Sequence, residues 1–531
     1  MSSVFPSLAM SKIQLATYSK CRMPHGTGKL QKSPRKYEES IMLYKGVPRQ
    51  QSSYHTFSSP DEIEMFRKRL LAWYNKCKRD LPWRKLAATE ADADKRAYAV
   101  WISEIMLQQT QVASVINYYN RWMQKWPTLQ DLAGASLEEV NEMWAGLGYY
   151  SRGKRLQEGA CKMVLEMAGH MPRTAEELQK LLPGVGKYTA GAIASIAFGQ
   201  ETGVVDGNVI RVLCRVRAIG ANPTNSAVTD VFWALSHTLV DPAHPGDFNQ
   251  AMMELGATVC TPRAPLCMEC PVKQHCRAYH RVEKELKDSA KRLVGRAASK
   301  CSQVLDVEEC ATPAGSCSLC LPPSEPWDPS LGVANFPRKA AKKQPRTEST
   351  ATCVLQRKCH EDKPEYLIVQ RPSTGLLAGL WEFPSLLLDP GQEKQQKTIM
   401  AHHLRAWVGS DVAVGRLQHV GEVLHIFSHI RQTYTIYSLN LDKHEGNCKM
   451  EVALPPCRWV TKAEFQNSAV SSAMKKVLKA YEKWSSTISV AKVTKRKRDS
   501  LCSSQPVLAT ESSSSKRQLS LDSFFAPPPR N

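Results

Sequence analysis

From Asp61 to about His280, apolar residues recur at three- and four-residue steps, as at Ile105, Val112, Val115, Tyr119 and Met123, which predicts a run of amphipathic helices. After Ala351 the period changes. Tyr366–Gln370, His419–Phe427 and Thr433–Tyr437 are rich in β-branched and aromatic residues with partial alternation and read as strands. Val470, Met474, Val477, Leu478 and Tyr481 then share one face of a closing helix. Between the two patterns, residues 281–350 turn Lys- and Ser-rich and then Pro-rich, a connector longer than compact domains hold, in which any structure needs an external staple. Residues 1–60 carry no acid before Glu38 and show no period, as expected of a disordered basic arm or targeting segment. The predicted order is arm 1–60, all-helical domain 61–280, connector 281–350, strand-rich domain 351–485 and disordered tail 486–531.

Charge adds a partner to this picture. Lys and Arg number 71 against 50 Asp and Glu, a net charge of +21, which suits a polyanion, nucleic acid before membrane. No apolar run reaches about 18 residues, so no membrane-spanning helix is expected. The 17 cysteines cluster at ligand-like spacing within a globular sequence, which points to a reducing compartment and metal sites rather than a disulfide scaffold.

Four segments carry candidate chemistry. Leu182-Pro-Gly-Val-Gly186 lies between helical patterns, where Gly184 and Gly186 let backbone approach a phosphate; a plain helix-connecting turn would use the same residues. Asp206 precedes an apolar run, as a helix N-cap would. Cys260, Cys267, Cys270 and Cys276 have the spacing of a thiolate metal centre, without deciding between zinc and iron. A second array, Cys310, Cys317 and Cys320, falls in the connector and lacks a fourth ligand, which Cys301 or a distant His must supply. In the tail, Gln518-Leu-Ser-Leu-Asp-Ser-Phe-Phe525 looks like a PCNA-interacting peptide, and Lys495–Arg498 like a nuclear localisation patch.

Hairpin, Asp206 and cysteine array together resemble the endonuclease III superfamily of base-excision glycosylases. Arg79-Asp-Leu-Pro-Trp-Arg84, Trp101-Ile-Ser-Glu-Ile-Met-Leu-Gln-Gln-Thr110 and Gly146-Leu-Gly-Tyr-Tyr150 narrow the resemblance to its MutY-type members, mammalian ones in particular. The fold implied is multidomain: an all-α helix-hairpin-helix glycosylase domain with an iron–sulfur cluster domain, then an α+β Nudix-like C-terminal domain. The reaction implied is monofunctional removal of adenine mispaired with 8-oxoguanine, or with guanine, in double-stranded DNA.

The same resemblance implies the site. Glu104 is the general acid and Asp206 stabilises the oxocarbenium ion, with Tyr188 and Asn208 in support. Arg84 and Glu254 contact the flipped adenine, Tyr149 is the intercalating wedge, and Gln109 and Thr110 lie near 8-oxoguanine. Lysine nucleophiles of lyase relatives sit where this chain has Tyr188, so Lys187, one place early, is expected on phosphate. The first cysteine array is expected to hold a 4Fe-4S cluster and the connector array zinc. Gly375-Leu-Leu-Ala-Gly-Leu-Trp-Glu-Phe383 resembles the Nudix-like domain, yet no acidic metal-binding box follows between Gly391 and Gly409, which implies reading rather than hydrolysis. There Phe427 and Ser428, in His425–His429, are expected to reach 8-oxoguanine. A checkpoint clamp docking on the connector, a monomeric state, and nuclear and mitochondrial locations complete the expectations. A catalytically silent lesion sensor and a bifunctional lyase are the competing classes, opposed by Glu104 with Asp206 and by Tyr188 respectively.

Overall fold

The helix Ala93–Leu107 is buried on every side from Ala97 to Met106, including Glu104. A helix apolar all round belongs at the centre of a domain. Asp92 caps it, accepting from the N–H groups of Asp94 and Lys95. The computed structural model that shows this describes residues 53–293, 310, 317–339, 344–358, 363–409, 411–441 and 455–499. The periodic run read as continuous through Val112 breaks after Leu107, and a new helix, Val112–Lys125, buries Val115, Tyr119 and Trp122.

Helices pack in two lobes on either side of this element. One core holds Trp101, Trp122, Trp144 and Leu156; the other holds Phe66, Leu213, Phe232 and Phe248. Short helices Ala175–Leu181 and Lys187–Phe198 flank Leu182–Gly186 as expected of the hairpin. Gly184 needs its freedom: its φ is 79°, and a Cβ there would stand 2.6 Å from Arg155 Cδ.

Two expected boundaries move. The arm drawn to residue 60 is packed from Ser53 onward, with His55 and Phe57 buried in the second lobe. Its few apolar residues gave no period, so only tertiary contact reveals them. The closing helix runs Ser472–Asp499, past the limit expected near 485, and carries the backbone of Lys495–Arg498. The peptide Gln518–Phe525 and Cys301 lie outside the described residues.

Nor is the connector held by thiols alone. Leu319, Val333 and Phe336 are buried in the second lobe, and the Leu319 carbonyl accepts from Gly220 and Ala221 at 2.8 and 3.2 Å. Arg215 donates to the Phe336 carbonyl at 2.9 Å. Apolar anchors too sparse to be periodic still find a partner surface.

The C-terminal domain is a mixed seven-stranded sheet of β1 (Arg346–Lys358), β2 (Pro364–Gln370), β3 (Trp381–Glu382), β4 (Ser385–Leu388), β5 (Gln418–Ile426), β6 (Ile430–Asn440) and β7 (Cys457–Thr461). Its path is β3-β2-β1-β6-β5, with β1 and β6 parallel, β4 on β1 and β7 on β2. Alternation along β1 sends Ala351, Cys353 and Leu355 against the helix Gln396–Val408, and Val354 to the other face. That other face joins the first helical core through Trp381, Phe383 and Val470. Polar contacts fix the junction: Trp381 Nε1 donates to Glu138 at 3.1 Å, and Lys154 Nζ to the Ser373 carbonyl at 2.9 Å. Among the described residues, no helix is long and apolar enough to cross a membrane.

Phe336→Ala is expected to destabilise the second lobe by about 3–5 kcal/mol, the usual cost of emptying a phenylalanine site. Urea unfolding with the metals loaded measures it; an unchanged midpoint would mean that the connector's packing contributes nothing.

Candidate active site and metal centres

A cavity of about 700 Å³ opens between the two helical lobes, and Glu104, Tyr188, Asp206, Asn208, Arg84 and Glu254 all line it. The six arrive on five elements, Asp206 and Asn208 sharing one. Glu104 projects from the buried helix, Tyr188 from the first turn after the hairpin, and Asp206 from the N-cap of the helix Gly207–Val216.

The Tyr188 hydroxyl donates to Glu104 Oε2 at 2.8 Å. Burial pushes the Glu104 carboxyl up to about 7; the Tyr188 hydrogen bond opposes this and the neighbouring Asp206 charge adds to it. Burial also raises Asp206, against donors on both of its oxygens: the Val209 N–H at 2.7 Å and Asn208 Nδ2 at 2.8 Å. Arg211 turns Asn208 to this task by donating to its Oδ1 at 2.7 Å. Asp206 is thus both helix cap and cavity carboxylate, and the two readings of its position coincide.

Glu254 is fully ionised by contrast. Burial alone would raise it, but hydrogen bonds from Arg79 and Arg84, with the Arg84 charge, outweigh burial and hold it down to about 2. Arg79 Nε donates to Oε1 at 2.7 Å and Arg84 Nη2 to Oε2 at 2.8 Å. Arg79 stands in the same segment as Arg84 but was assigned no role from sequence; the carboxylate it would meet lies 175 residues away.

Lys187 is not among the cavity-lining residues, and its Nζ lies 4.0 Å from the centre of the Trp233 ring. Gln109, Thr110 and Tyr149 rim the cavity, and Tyr149 is 45% exposed, uncommon for an aromatic unless something covers it. A second cavity, of about 840 Å³, shares Gln109, Tyr149, Ser151 and Arg155 with the first and reaches the β5–β6 turn at Phe427 and Ser428. Phe427 is half-buried against the His425 ring, centroids 4.6 Å apart, while Ser428 is exposed at the tip. The helix Gln396–Val408, where an acidic box would be sought, contains no carboxylate.

Both cysteine arrays converge in space. Cys260, Cys267, Cys270 and Cys276 line one small pocket with Arg215, whose Nη1 lies 3.3 Å from Cys260 Sγ. Burial pushes Cys270 up to about 12 and Cys276 higher still, a cost that four converging thiols recover by binding metal. In the connector, His55, Cys310, Cys317 and Cys320 place one ligand atom each within 4.8 Å of one another, a single-ion geometry. His55 stands where the fourth donor of such a site would be. Its Nδ1 is 2.9 Å from the Arg217 carbonyl, which aims Nε2 at Cys320 Sγ, 3.3 Å away. Sequence spacing carries no trace of this ligand, which stands in the segment read as arm.

Comparison with known proteins gives the family and its domains. Residues 102–237 match the HhH-GPD superfamily of base excision DNA repair proteins, residues 260–276 the iron-sulfur binding domain of endonuclease III, and residues 353–480 the NUDIX domain. The chain is 61% identical to the adenine DNA glycosylase of Mus musculus over 431 residues, 81% of this chain and 80% of that one. Identity to the Homo sapiens adenine DNA glycosylase is also 61%, over 444 residues, 84% of this chain and 78% of that one. The C-terminal domain of mouse MUTYH, solved in complex with human PCNA, is 45% identical over 26% of this chain and 89% of that one, with a TM-score of 0.23. The four-cysteine pocket is an iron–sulfur site. The chain belongs to the adenine DNA glycosylases, enzymes of base excision DNA repair.

Proposed function

We propose that this glycosylase excises adenine lying opposite 8-oxoguanine, with Glu104 as general acid and Asp206 as the carboxylate facing the sugar. One observation carries the reading: a carboxyl raised to about 7 and hydrogen-bonded by Tyr188 shares a cavity with a carboxylate that has a donor on each oxygen. Groups whose environments separate their protonation states divide the labour of glycosidic cleavage. The Glu104 proton goes to adenine N7, and the C1′–N9 bonding pair leaves with the base. Asp206 offsets the positive charge left on the sugar, and water adds at C1′, giving its proton to the carboxylate that Glu104 has become. Glu254, held ionised, accepts from the adenine amine, and Arg84 orients it. Tyr188 stands beside the acid, the Lys187 amine lies over Trp233, and no lysine is among the described residues that line the cavity, which supports a monofunctional reaction.

Opposite-base reading belongs to the adjoining cavity. Tyr149 fills the gap left by the flipped base, Gln109 and Thr110 meet the lesion from the helical side, and Phe427 and Ser428 meet it from the sheet. The connector quartet is read as zinc, since its ligand atoms fit one ion. Among the described residues no three sulfurs of the other array come that close, as a larger 4Fe-4S cluster requires. The cluster and zinc hold structure here; neither enters the chemistry. Gln518–Phe525 is read as a PCNA-docking peptide and Lys495–Arg498 as a nuclear patch.

Glu104→Gln is expected to bind an adenine:8-oxoguanine duplex within about threefold of wild type yet lose about 10²–10⁴-fold in single-turnover excision, since an amide has no carboxylic proton to give. Because the acid must be protonated, the wild-type rate should fall with rising pH above about 7. Excision by Glu104→Gln within tenfold of wild type would remove Glu104 from the role.

Phe427→Ala with Ser428→Ala should lower the preference for 8-oxoguanine over guanine by about 10–100-fold, the worth of one or two base contacts, and leave adenine:guanine excision nearly unchanged. Parallel single-turnover assays on the two duplexes decide this; an unaltered ratio contradicts it. For the metals, His55→Ala should deplete zinc while retaining iron, and Cys267→Ser should do the reverse. Elemental analysis of the purified variants reads both, and zinc retained in His55→Ala means a different ligand set.

A further inference from the structure

Arg152 is 6% exposed and carries no carboxylate partner among its hydrogen bonds. Its guanidinium is spent on backbone. Nη1 donates to the carbonyls of Ile105 and Met106, both at 2.9 Å, and to that of Gln108. Nη2 donates to Thr110 Oγ1 and to the Gly148 carbonyl, both at 3.1 Å, and Nε to the Tyr149 carbonyl at 3.4 Å. The same group lies 5.4 Å from the Trp144 ring centre and 5.3 Å from that of Tyr149.

These acceptors lie at the end of the helix Ala93–Leu107, in the loop that follows it and in the tyrosine loop. Gln108–Thr110 ends the helix that carries Glu104, and Gly146–Tyr150 holds the exposed tyrosine. Both loops contain a non-glycine residue in the left-handed region, Gln109 at φ 55° and Tyr149 at φ 49°. Such conformations persist only where their surroundings over-determine them. A planar cation with five N–H donors can bind carbonyls from both loops at once; an ammonium, with three donors at a point, cannot.

We propose that Arg152 is a positioning residue that locks the Tyr149 loop to the Gln108–Thr110 loop, so that entry of the wedge into the base stack and contact with the opposite base occur as one rigid event. This rests on the reading of Tyr149 as wedge. Arg152 also grips the end of the helix that carries Glu104, but the Glu104 carboxyl is held by Tyr188, so the pH profile separates loss of the acid from loss of the loop.

The test compares Arg152→Lys and Tyr149→Ala with wild type in the iron-loaded full chain. Two adenine:8-oxoguanine duplexes are used, one fully paired and one with a mismatch beside the adenine, which weakens the stack the wedge must open. Single-turnover excision is followed with pH, and unstacking by the fluorescence of 2-aminopurine placed next to the target. Arg152→Lys should lose at least tenfold on the paired duplex, as misplacing a reacting group by about 1 Å can do. It should recover most of that loss on the mismatched duplex, give a smaller fluorescence rise, and keep the wild-type pH profile and iron content. An equal deficit on both duplexes, a shifted pH profile, or no deficit overturns the proposal. If Tyr149→Ala unstacks the target as wild type does, the wedge reading fails first; if only Arg152→Lys behaves as wild type, the wedge stands and Arg152 is released from the role.

Discussion

Everything in the catalytic half depends on keeping one carboxyl group out of water. A buried carboxylate without compensation is expensive, so burial pushes the group, Glu104, up to about 7, and here that burial is supplied by a helix with no solvent-facing side over ten consecutive residues. That helix needs a lobe on each flank, and the lobes in turn leave the cavity between them. The same burial would have cost more had Glu254 lacked its two arginines. Low dielectric therefore yields opposite outcomes for two glutamates in one cavity, one pushed to about 7 and one held down to about 2, according to which cations stand beside them.

Precision at the rim comes from joints between elements rather than from the elements themselves. The sheet's inner face is continuous with the first helical core, so the β5–β6 turn is held at a set distance from the tyrosine loop. Glu138, Lys154 and the strand residue Trp381 give that apolar junction a direction. A reader tethered only by the connector would have no such register.

Much of this was legible in the chain, and the reason is locality. The cysteines Cys260–Cys276 lie within one turn-rich stretch, so their spacing is their geometry; Tyr188 sits two residues past the hairpin, so its place on the helix follows directly. Strand alternation predicted β2, β5 and β6 within a few residues. What escaped was long-range. His55 acts 265 residues from Cys320, Arg79 acts 175 residues from Glu254, and Arg152 addresses carbonyls, which every residue possesses and no sequence pattern marks. The burial of Leu319 and Phe336 escaped for a related reason: isolated apolar residues have no period until a partner surface supplies one.

A metal ion joining His55 to Cys317 and Cys320 would close the polypeptide between them into a ring that contains both helical lobes. Closing a ring of that length costs only slightly more entropy than closing a short one, because the penalty grows with the logarithm of length. It does impose an order in time. A ribosome delivers the histidine first and the thiols only after both lobes have emerged, so such a ring could not shut before the catalytic domain was fully synthesised.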